Sequence, residues 1–541
     1  MSVSAVDDLE HPGVLHVPHE RDAQTAFGTA SGTGKGSIMS NIDLEKYWPN
    51  FIDGEFDHGG AGRSDVFDPS DGMKIAEHAL ADAKDVDRAV QAAQRVFKEG
   101  SIADLAPSER GRLVTSMGKY LNDHLEEIKR IICVEQGKLL YEADGEVKMA
   151  IRLFEYFGSM AESLEGRSIP VDNTRFDFTT YKPYGVSAQF IPGHFPVYLP
   201  ARSIAVALVT GNSCVLKSSQ MSPISLVWFA RAAQSCGLPP GALNIFCGRS
   251  EEAGVALATH PDINHLAFSG YAKSAAQVLP MATANLVPSV VEVGGTNPTI
   301  AFEDADLDAF ISAARFGTYW NAGQMCTSMY RLIVHESIFD EVVERAVAIA
   351  QSLQLRPGIE CGEFGPYMGP LDGEENLEKV LDRVRQARRQ GARCLTGGER
   401  SNGPGSFMQP TVLVDVDPRM PIAQEEIWGP VVSVLKFRDE AEAYRIANDV
   451  RHTGVQCGIF TRSIGRLTRA AHAVQAVHII ANCSTVSDAE FPFGGGFGRS
   501  GYGRVKGREA MLGYVQSKNL MIPIGDMLPE MAQRTKAVLG R

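Results

Sequence analysis

GVSAQFIPGHFPVYLPARSIAVALVTGNSCVLKSS, residues 185–219, decides the fold. Two short strand-like runs, GVSAQFI (185–191) and SCVLK (213–217), flank a helical run at about 199–210. Strands that alternate with helices in this way are the pattern of a parallel sheet covered on both faces. Reading onward, the alternation continues through helix SPISLVWFARAAQSCG (222–237), strand LNIFCG (243–248) and a helix near 250–259. Strand NHLAFSG (264–270), a short helix and strand SVVEVGG (289–295) follow. Pro223 at the first turn and Gly237 just past the end bracket the middle helix. The expectation is an α/β fold, a parallel sheet with helices on both faces, whose ligands collect beyond the carboxyl ends of the strands. Lys217, Gly270 and Glu292 all fall at such ends.

From 300 to 500 a similar alternation repeats, predicting a second α/β domain, and two such domains usually trap a ligand between them. Upstream, Asp85 reads as the N-cap of a helix carrying Val86, Ala89, Val90, Ala93 and Phe97 at helical spacing. A second long helical region is expected over about 107–134. Residues 1–45 lack periodicity and pass through GTASGTGKGS, predicting a flexible arm. Its GTGKG is not a phosphate loop: position 29 is Thr where the spacing needs Gly, and Gly36 follows Lys35 where Ser or Thr is needed.

Composition narrows the function classes. The 541 residues are 44% hydrophobic and 22% charged, an ordinary globular balance with room for two to four domains. A net charge of -13 argues against nucleic acid, whose phosphates need a basic face. No apolar run reaches membrane-spanning length and the acidic start lacks signal-peptide regions, so a cytoplasmic location and no membrane partner are expected. Nine cysteines without a CxxC pair suit free thiols better than zinc or disulfides, and no metal is expected.

Two residues stand out chemically. Cys326 in WNAGQMCTS (320–328) follows a probable helix, and a thiolate there could serve as a nucleophile. Buried cysteines are mostly inert small hydrophobes, so the residue type alone leaves both readings open. Glu292 ends a valine-rich strand, where a carboxylate must be solvated, paired or functional.

Together with GNSCVLKSS, LAFSG, EVGGTNP, NAGQMC, QEEIWGPV and FPFGGGFGRSGYGR, in that order, these residues resemble the NAD(P)-dependent aldehyde dehydrogenase superfamily from about 48 to 525. Cys326 follows Glu292, and Lys217 follows His194, at the separations the resemblance leads one to expect. It implies a Rossmann-type cofactor domain (46–162 and 185–294), an α/β catalytic domain (295–505), and β oligomerisation strands (163–184 and 510–528) pairing across subunits of a homodimer or homotetramer. It also implies NAD or NADP as cofactor and a small-molecule aldehyde as substrate. Cys326 would attack the carbonyl, hydride would pass to the nicotinamide, and Glu292 would activate water to hydrolyse the thioester.

The resemblance breaks at FIPGHFP (190–196). Where the family carries Pro-Trp-Asn-Phe-Pro, Gly193 stands for the Trp and His194 for the Asn whose amide helps bind the oxyanion. Imidazole also donates an N–H, so His194 reads as a substituted oxyanion donor. The competing readings are recognition of a polar substrate, a proton relay, or a site no longer used for dehydrogenation. The implied cofactor contacts are Ile191, Pro192, Lys217, Ser219, Gln220, Gly254, Ser269, Gly270, Tyr271, Val293, Gly294, Glu426 and Trp428. Gln220 replaces a Glu that repels a 2'-phosphate, leaving NADP tolerance and ribose binding of NAD both open. Tyr271 and Ala275 replace a Ser and a Gly near the pyrophosphate. The implied substrate tunnel holds Phe195, Tyr198, Arg202, Trp320, Met325, Thr327, Thr485 and Phe493. Its apolar walls predict an apolar or aromatic aldehyde, whereas Arg202 would grip a carboxylate-bearing one, or else be solvated or paired with an acid. Two alternatives stay open: a thioester-forming or thioesterase enzyme on the same scaffold, and a catalytically silent binding protein.

Overall fold

A computed structural model describes residues 44–450, 454–484, 488–524 and 527–539; the expected arm, up to residue 43, lies outside the described residues. An eight-stranded sheet carries the first alternation, with its five parallel strands in the spatial order Ser289–Val293, His265–Gly270, Val186–Phe190, Ser213–Ser218, Leu243–Cys247. The chain therefore winds outward in both directions from Val186–Phe190, and the crevice opens where the order reverses, between that strand and His265–Gly270. Beyond it lie the loop after Phe190, which carries His194, and the turn after Gly270.

Helices cover both faces. On one side pack Pro107–Asp123, Leu125–Gln136, Leu140–Ser159, Tyr198–Val209 and Val227–Ser235, around a core that includes Leu121, Phe154, Ile204 and Phe229. On the other, Ala83–Lys98 buries Val86, Ala89, Val90 and Ala93. That helix begins one turn before the expected cap. Asp82 is the N-cap, accepting from the Lys84 and Asp85 amides, while Asp85 is the third helical residue and closes a capping box by accepting from Asp82 N at 3.0 Å. The region expected as one helix over 107–134 breaks at His124 into two.

The second alternation forms a seven-stranded sheet, ordered Arg393–Thr396, Thr411–Val414, Val431–Phe437, Arg331–His335, Pro298–Ala301, Gln456–Phe460, His478–Ala481 and parallel except at its first pair. The two units interlock: Gly501–Tyr502 pairs antiparallel with Ser289–Val293 and so extends the first sheet. The third sheet joins Arg175–Pro183 to Val515–Pro523 in antiparallel register from Val515↔Pro183 to Pro523↔Arg175. These strands, expected to pair between subunits, pair within one chain, and Phe176, Met521, Ile522 and Ile524 remain exposed on or beside them. The C-terminal strand is preceded by a helix, Gly507–Leu512, and ends at Pro523, short of the expected 528.

Candidate active site

Cys326 ends a turn of unusual backbone. Asn321, Ala322 and Gly323 hold φ of +50°, +51° and +76°, a left-handed run that costs on the order of 1 kcal/mol or more at each non-glycine residue. Buried polar groups over-determine it. Glu142 Oε1 accepts from Asn321 N at 2.9 Å, and Tyr330 Oη donates to Gly323 O at 2.8 Å. Gln324 Oε1 accepts from Asp372 N and Asn376 Nδ2 at 2.9 and 3.0 Å. Just after the turn, Asn297 Nδ2 donates to Cys326 O at 2.8 Å and to Ser328 O at 3.0 Å, while its Oδ1 accepts from Gln456 N at 3.1 Å. The nucleophile candidate is thus fixed from three other segments of the chain.

The thiol shares a small chamber with Pro192, His194, Leu199, Ser269, Gly270, Tyr271, Glu292, Gly294, Glu426 and Trp428, about 330 Å³ of empty volume. Burial first, then the Glu292 carboxylate, pushes the Cys326 thiol well above its ordinary range, and the Arg202 guanidinium opposes them. Glu292 is 3% exposed; it accepts from Arg202 Nη2 and, at 3.4 Å, from Ser269 Oγ. Arg202 Nη2 also donates to Ser269 Oγ at 2.9 Å. Ser269 and Glu292 are register partners on adjacent parallel strands, which is why they reach the same guanidinium.

His194 is 8% exposed, its ring edge-on to Trp428 at 4.4 Å between centroids. Burial, then the positive charges of Lys138 and Arg202, hold its pKa well below the usual value, so the imidazole is neutral. The loop bearing it is anchored from behind. Glu146 Oε1 accepts from Val197 N and Tyr198 N at 2.8 and 3.1 Å, at the start of Tyr198–Val209. Lys138 pairs with Glu146 in full burial and sits 3.6 Å over the Phe195 ring. Asn321 Nδ2 reaches His194 O at 3.4 Å, tying this loop to the cysteine turn.

A larger groove, about 1430 Å³ of empty volume, adjoins the chamber through Pro192, His194, Ser269, Gly270 and Tyr271. Ile191, Lys217, Ser219 and Gly254 line it, with Lys217 buried and its pKa lowered by desolvation. Tyr271, 46% exposed, stands edge-on to Trp428 at 5.4 Å where groove and chamber meet. At the chamber's far wall Glu426 Oε1 is buried without a hydrogen-bond partner among the described residues, and burial, then Glu292, raises Glu426 to about 8. Gly294 leaves room for this carboxylate, since a Cβ there would lie 1.9 Å from Glu426 Oε1 and would displace it. An orphaned carboxylate oxygen calls for a hydroxyl donor, and a cationic amine at the groove's other end suits a sugar or phosphate oxygen. The residues present therefore fit a nucleotide cofactor.

The family profile described as "Aldehyde dehydrogenase family" matches residues 56–520. The chain belongs to the aldehyde dehydrogenase family. Among its relatives are the mitochondrial aldehyde dehydrogenase family 2 member B4 of Arabidopsis thaliana, 35% identical with 91% of each chain covered, and the mitochondrial benzaldehyde dehydrogenase of Antirrhinum majus, 34% identical with 91% of this chain and 92% of that one covered. Among solved structures, an aldehyde dehydrogenase from Bacillus cereus in complex with NAD+ superposes with a TM-score of 0.86 at 31% identity, covering 91% of this chain and 99% of that one.

Within this family member, several expected site residues lie outside the lining of the chamber and the groove. Gln220 lines neither the groove nor the chamber; it is half-buried in the turn before Met221. Val293 is buried in its strand, donating its N–H to Ser500 O at 3.0 Å. Phe195, Tyr198, Trp320 and Met325 pack into the largest core cluster, Thr327 is half-buried, and Phe493 packs with Val290, Val455 and Val505 against Cys326. Arg202, expected on the substrate wall, is 1% exposed and directed at Glu292. Thr485 lies outside the described residues. Sequence reasoning gave no role to Asn297, Lys138, Glu142 or Glu146. Asn297 stood inside the quoted EVGGTNP, and the recurrence Lys138, Glu142, Glu146 at intervals of four beside apolar residues was the available signal for the others.

Proposed function

We propose that the chain oxidises an uncharged, apolar aldehyde to its carboxylic acid with NAD+ or NADP+, consuming water and releasing a proton. The observation that carries this reading is the convergence of Cys326, Glu292 and His194 on one chamber that adjoins a larger groove lined by Lys217. With its proton passed to Glu292 and from there to solvent, Cys326 attacks as the thiolate: Sγ bonds the carbonyl carbon, and the carbonyl π pair moves to oxygen, toward which the neutral His194 N–H donates. When bound, the nicotinamide dinucleotide supplies the acceptor for the hydride that leaves this carbon. In the resulting thioester, Glu292 takes a proton from water as the water oxygen bonds the acyl carbon; the C–S bond breaks and its electron pair returns to Sγ. Bound there, a nicotinamide dinucleotide would be held by Glu426, which would accept from hydroxyl groups, and by Lys217 at the far end of the groove, with Trp428 and Tyr271 as flat walls where groove and chamber meet. The free edge of Val515–Pro523 and its exposed apolar residues support pairing with a second subunit.

An uncharged substrate is favoured because the one guanidinium near the thiol already has a carboxylate partner. The test is a panel of benzaldehyde, hexanal and succinic semialdehyde with each cofactor, read as reduced nicotinamide formed in stoichiometry with acid. Benzaldehyde and hexanal should react, succinic semialdehyde poorly, and Cys326→Ser should abolish the signal. Failure of every aldehyde, or an active Cys326→Ser, would overturn the reading.

A further inference from the structure

A buried arginine beside a general base is an odd neighbour, because guanidinium neither gives nor takes a proton at working pH. Arg202 lies within the first two turns of Tyr198–Val209, the helix whose first amides Glu146 holds. Its Nη2 bridges Glu292 and Ser269, its Cζ lies 5.9 Å from the Tyr198 ring centroid, and its Nε is buried without a partner among the described residues. The Arg202 and Ser269 hydrogen bonds both engage Oε2 of Glu292, and the same carboxylate also meets the Cys326 thiol.

We propose that Arg202 is a positioning residue for the dehydrogenase reaction: it anchors Glu292 by Oε2 so that Oε1 is left for the attacking water, and its fixed charge favours the thiolate of Cys326. The proposal rests on the reading of Cys326 as nucleophile and Glu292 as base. It replaces a substrate-gripping role for Arg202 with one internal to the catalytic apparatus. The charged and titratable groups around the thiol are Glu292 from one strand, Arg202 and Tyr198 from the helix, His194 and Lys138 from the loops, and Glu426 from the far wall; Tyr514 meets Arg202 from the C-terminal segment. Of these, Arg202 is the cation that acts on Cys326, in the direction of ionisation.

The decisive measurement needs no turnover. Full-length protein is alkylated with iodoacetamide at about pH 8, and modification of the Cys326 peptide is followed over time by mass spectrometry. Loss of the positive charge in Arg202→Met should slow alkylation about tenfold, the factor that one pH unit in thiol ionisation produces. Arg202→Lys should restore the rate to within about threefold, because the charge is kept. In turnover, Arg202→Lys should keep its first burst of reduced nicotinamide but lose about tenfold in steady-state rate, since one ammonium cannot hold the carboxylate as the fork does. If Arg202→Met fails to fold, Arg202→Met/Glu292→Gln leaves no charge unpaired, and its alkylation should be about tenfold slower than that of Glu292→Gln alone. Equal alkylation rates in wild type and Arg202→Met, or in the two Glu292→Gln backgrounds, would overturn the thiolate role. A wild-type steady-state rate in Arg202→Lys would overturn the anchoring role. A wild type that oxidises no aldehyde would refute the dehydrogenase reading while leaving the alkylation comparison intact.

Discussion

Removing the His194 imidazole tests the departure that sets this chain apart from the family pattern it otherwise resembles. The ring is buried, its nitrogens have no hydrogen-bond partner among the described residues, and it lines the same chamber as Cys326, so one N–H is uncommitted and available to an oxyanion. In such a water-poor site a single donor is worth about 100- to 1000-fold in turnover, or about 2.7–4 kcal/mol of barrier. His194→Ala should therefore lose kcat/KM by that factor, toward the lower end if water fills the space left by the ring. His194→Asn supplies an amide N–H in its place and should stay within about tenfold of wild type. The pH dependence discriminates further. Burial, Lys138 and Arg202 keep the folded-state pKa well below the usual value, so the donor is the neutral ring throughout neutral pH. The ratio of wild type to His194→Ala should then be flat between about pH 6 and about pH 9, whereas a protonated donor would make the ratio grow as pH falls through about 6.5. The assay is kcat/KM for the best aldehyde across that range, normalised to titrated Cys326. Parental rates in His194→Ala, or a ratio that climbs on acidification, would refute the reasoning.

Asn297→Ala should strip three buried hydrogen bonds at once, leaving the Cys326 and Ser328 carbonyls and the Gln456 N–H without this partner. At about 1–3 kcal/mol per buried group left unsatisfied, a loss of roughly 3 kcal/mol is expected in guanidinium denaturation, with turnover falling alongside; an unchanged denaturation midpoint counts against Asn297 as the support of the cysteine turn. Glu426→Gln should stabilise the cofactor-free protein, and only at higher pH. Because the folded-state pKa of Glu426 is raised to about 8, its proton binding favours the fold at low pH, and that contribution is lost as pH rises from the ordinary carboxylate value through about 8. The Tm of Glu426→Gln should thus exceed wild type at about pH 8.5 and match it near about pH 4.5, the difference at high pH reflecting a gain in stability on the order of a few kcal/mol at most. A Tm difference independent of pH would mean that Glu426 ionises without penalty.

Much of the architecture was legible because it follows from short-range pattern. The strand–helix alternation, Pro223 and Gly237 around one helix, and the positions of Lys217, Gly270 and Glu292 at strand ends point to the crevice from sequence alone. The helix start at Asp82 was misread because Asp85 and Asp82 form one capping box, in which either acid suits a cap. Which residues line the chamber was less legible. Trp320, Met325 and Tyr198 are large and apolar, and a sequence cannot tell an apolar wall from an apolar core; in the structure they belong to the same core cluster and do not line the chamber. Asn297, Glu142 and Glu146 escaped notice for a different reason. Their partners, the amides of Asn321, Val197 and Gln456, lie dozens to more than a hundred residues away along the chain, and a backbone amide leaves no mark in a sequence.

The same distance in sequence hid a link between two departures. Taken singly, a histidine at 194 is a questionable oxyanion donor, since an imidazole that protonates would pair with Glu292 or the thiolate instead of waiting for an alkoxide. An arginine at 202 is equally questionable on a wall meant to bury hydrocarbon. In the folded chain the arginine is turned away from that wall to Glu292, and from there its charge, with that of Lys138, disfavours protonation of His194. Lys138 is itself fixed by Glu146, the residue that holds the first amides of the helix bearing Arg202. Burial first, then Lys138 and then Arg202 disfavour protonation of His194, so the guanidinium at 202 adds to what keeps the imidazole at 194 a neutral donor. A chain carrying His194 with an uncharged residue at 202 would lose one of the two cations that keep the imidazole a neutral donor.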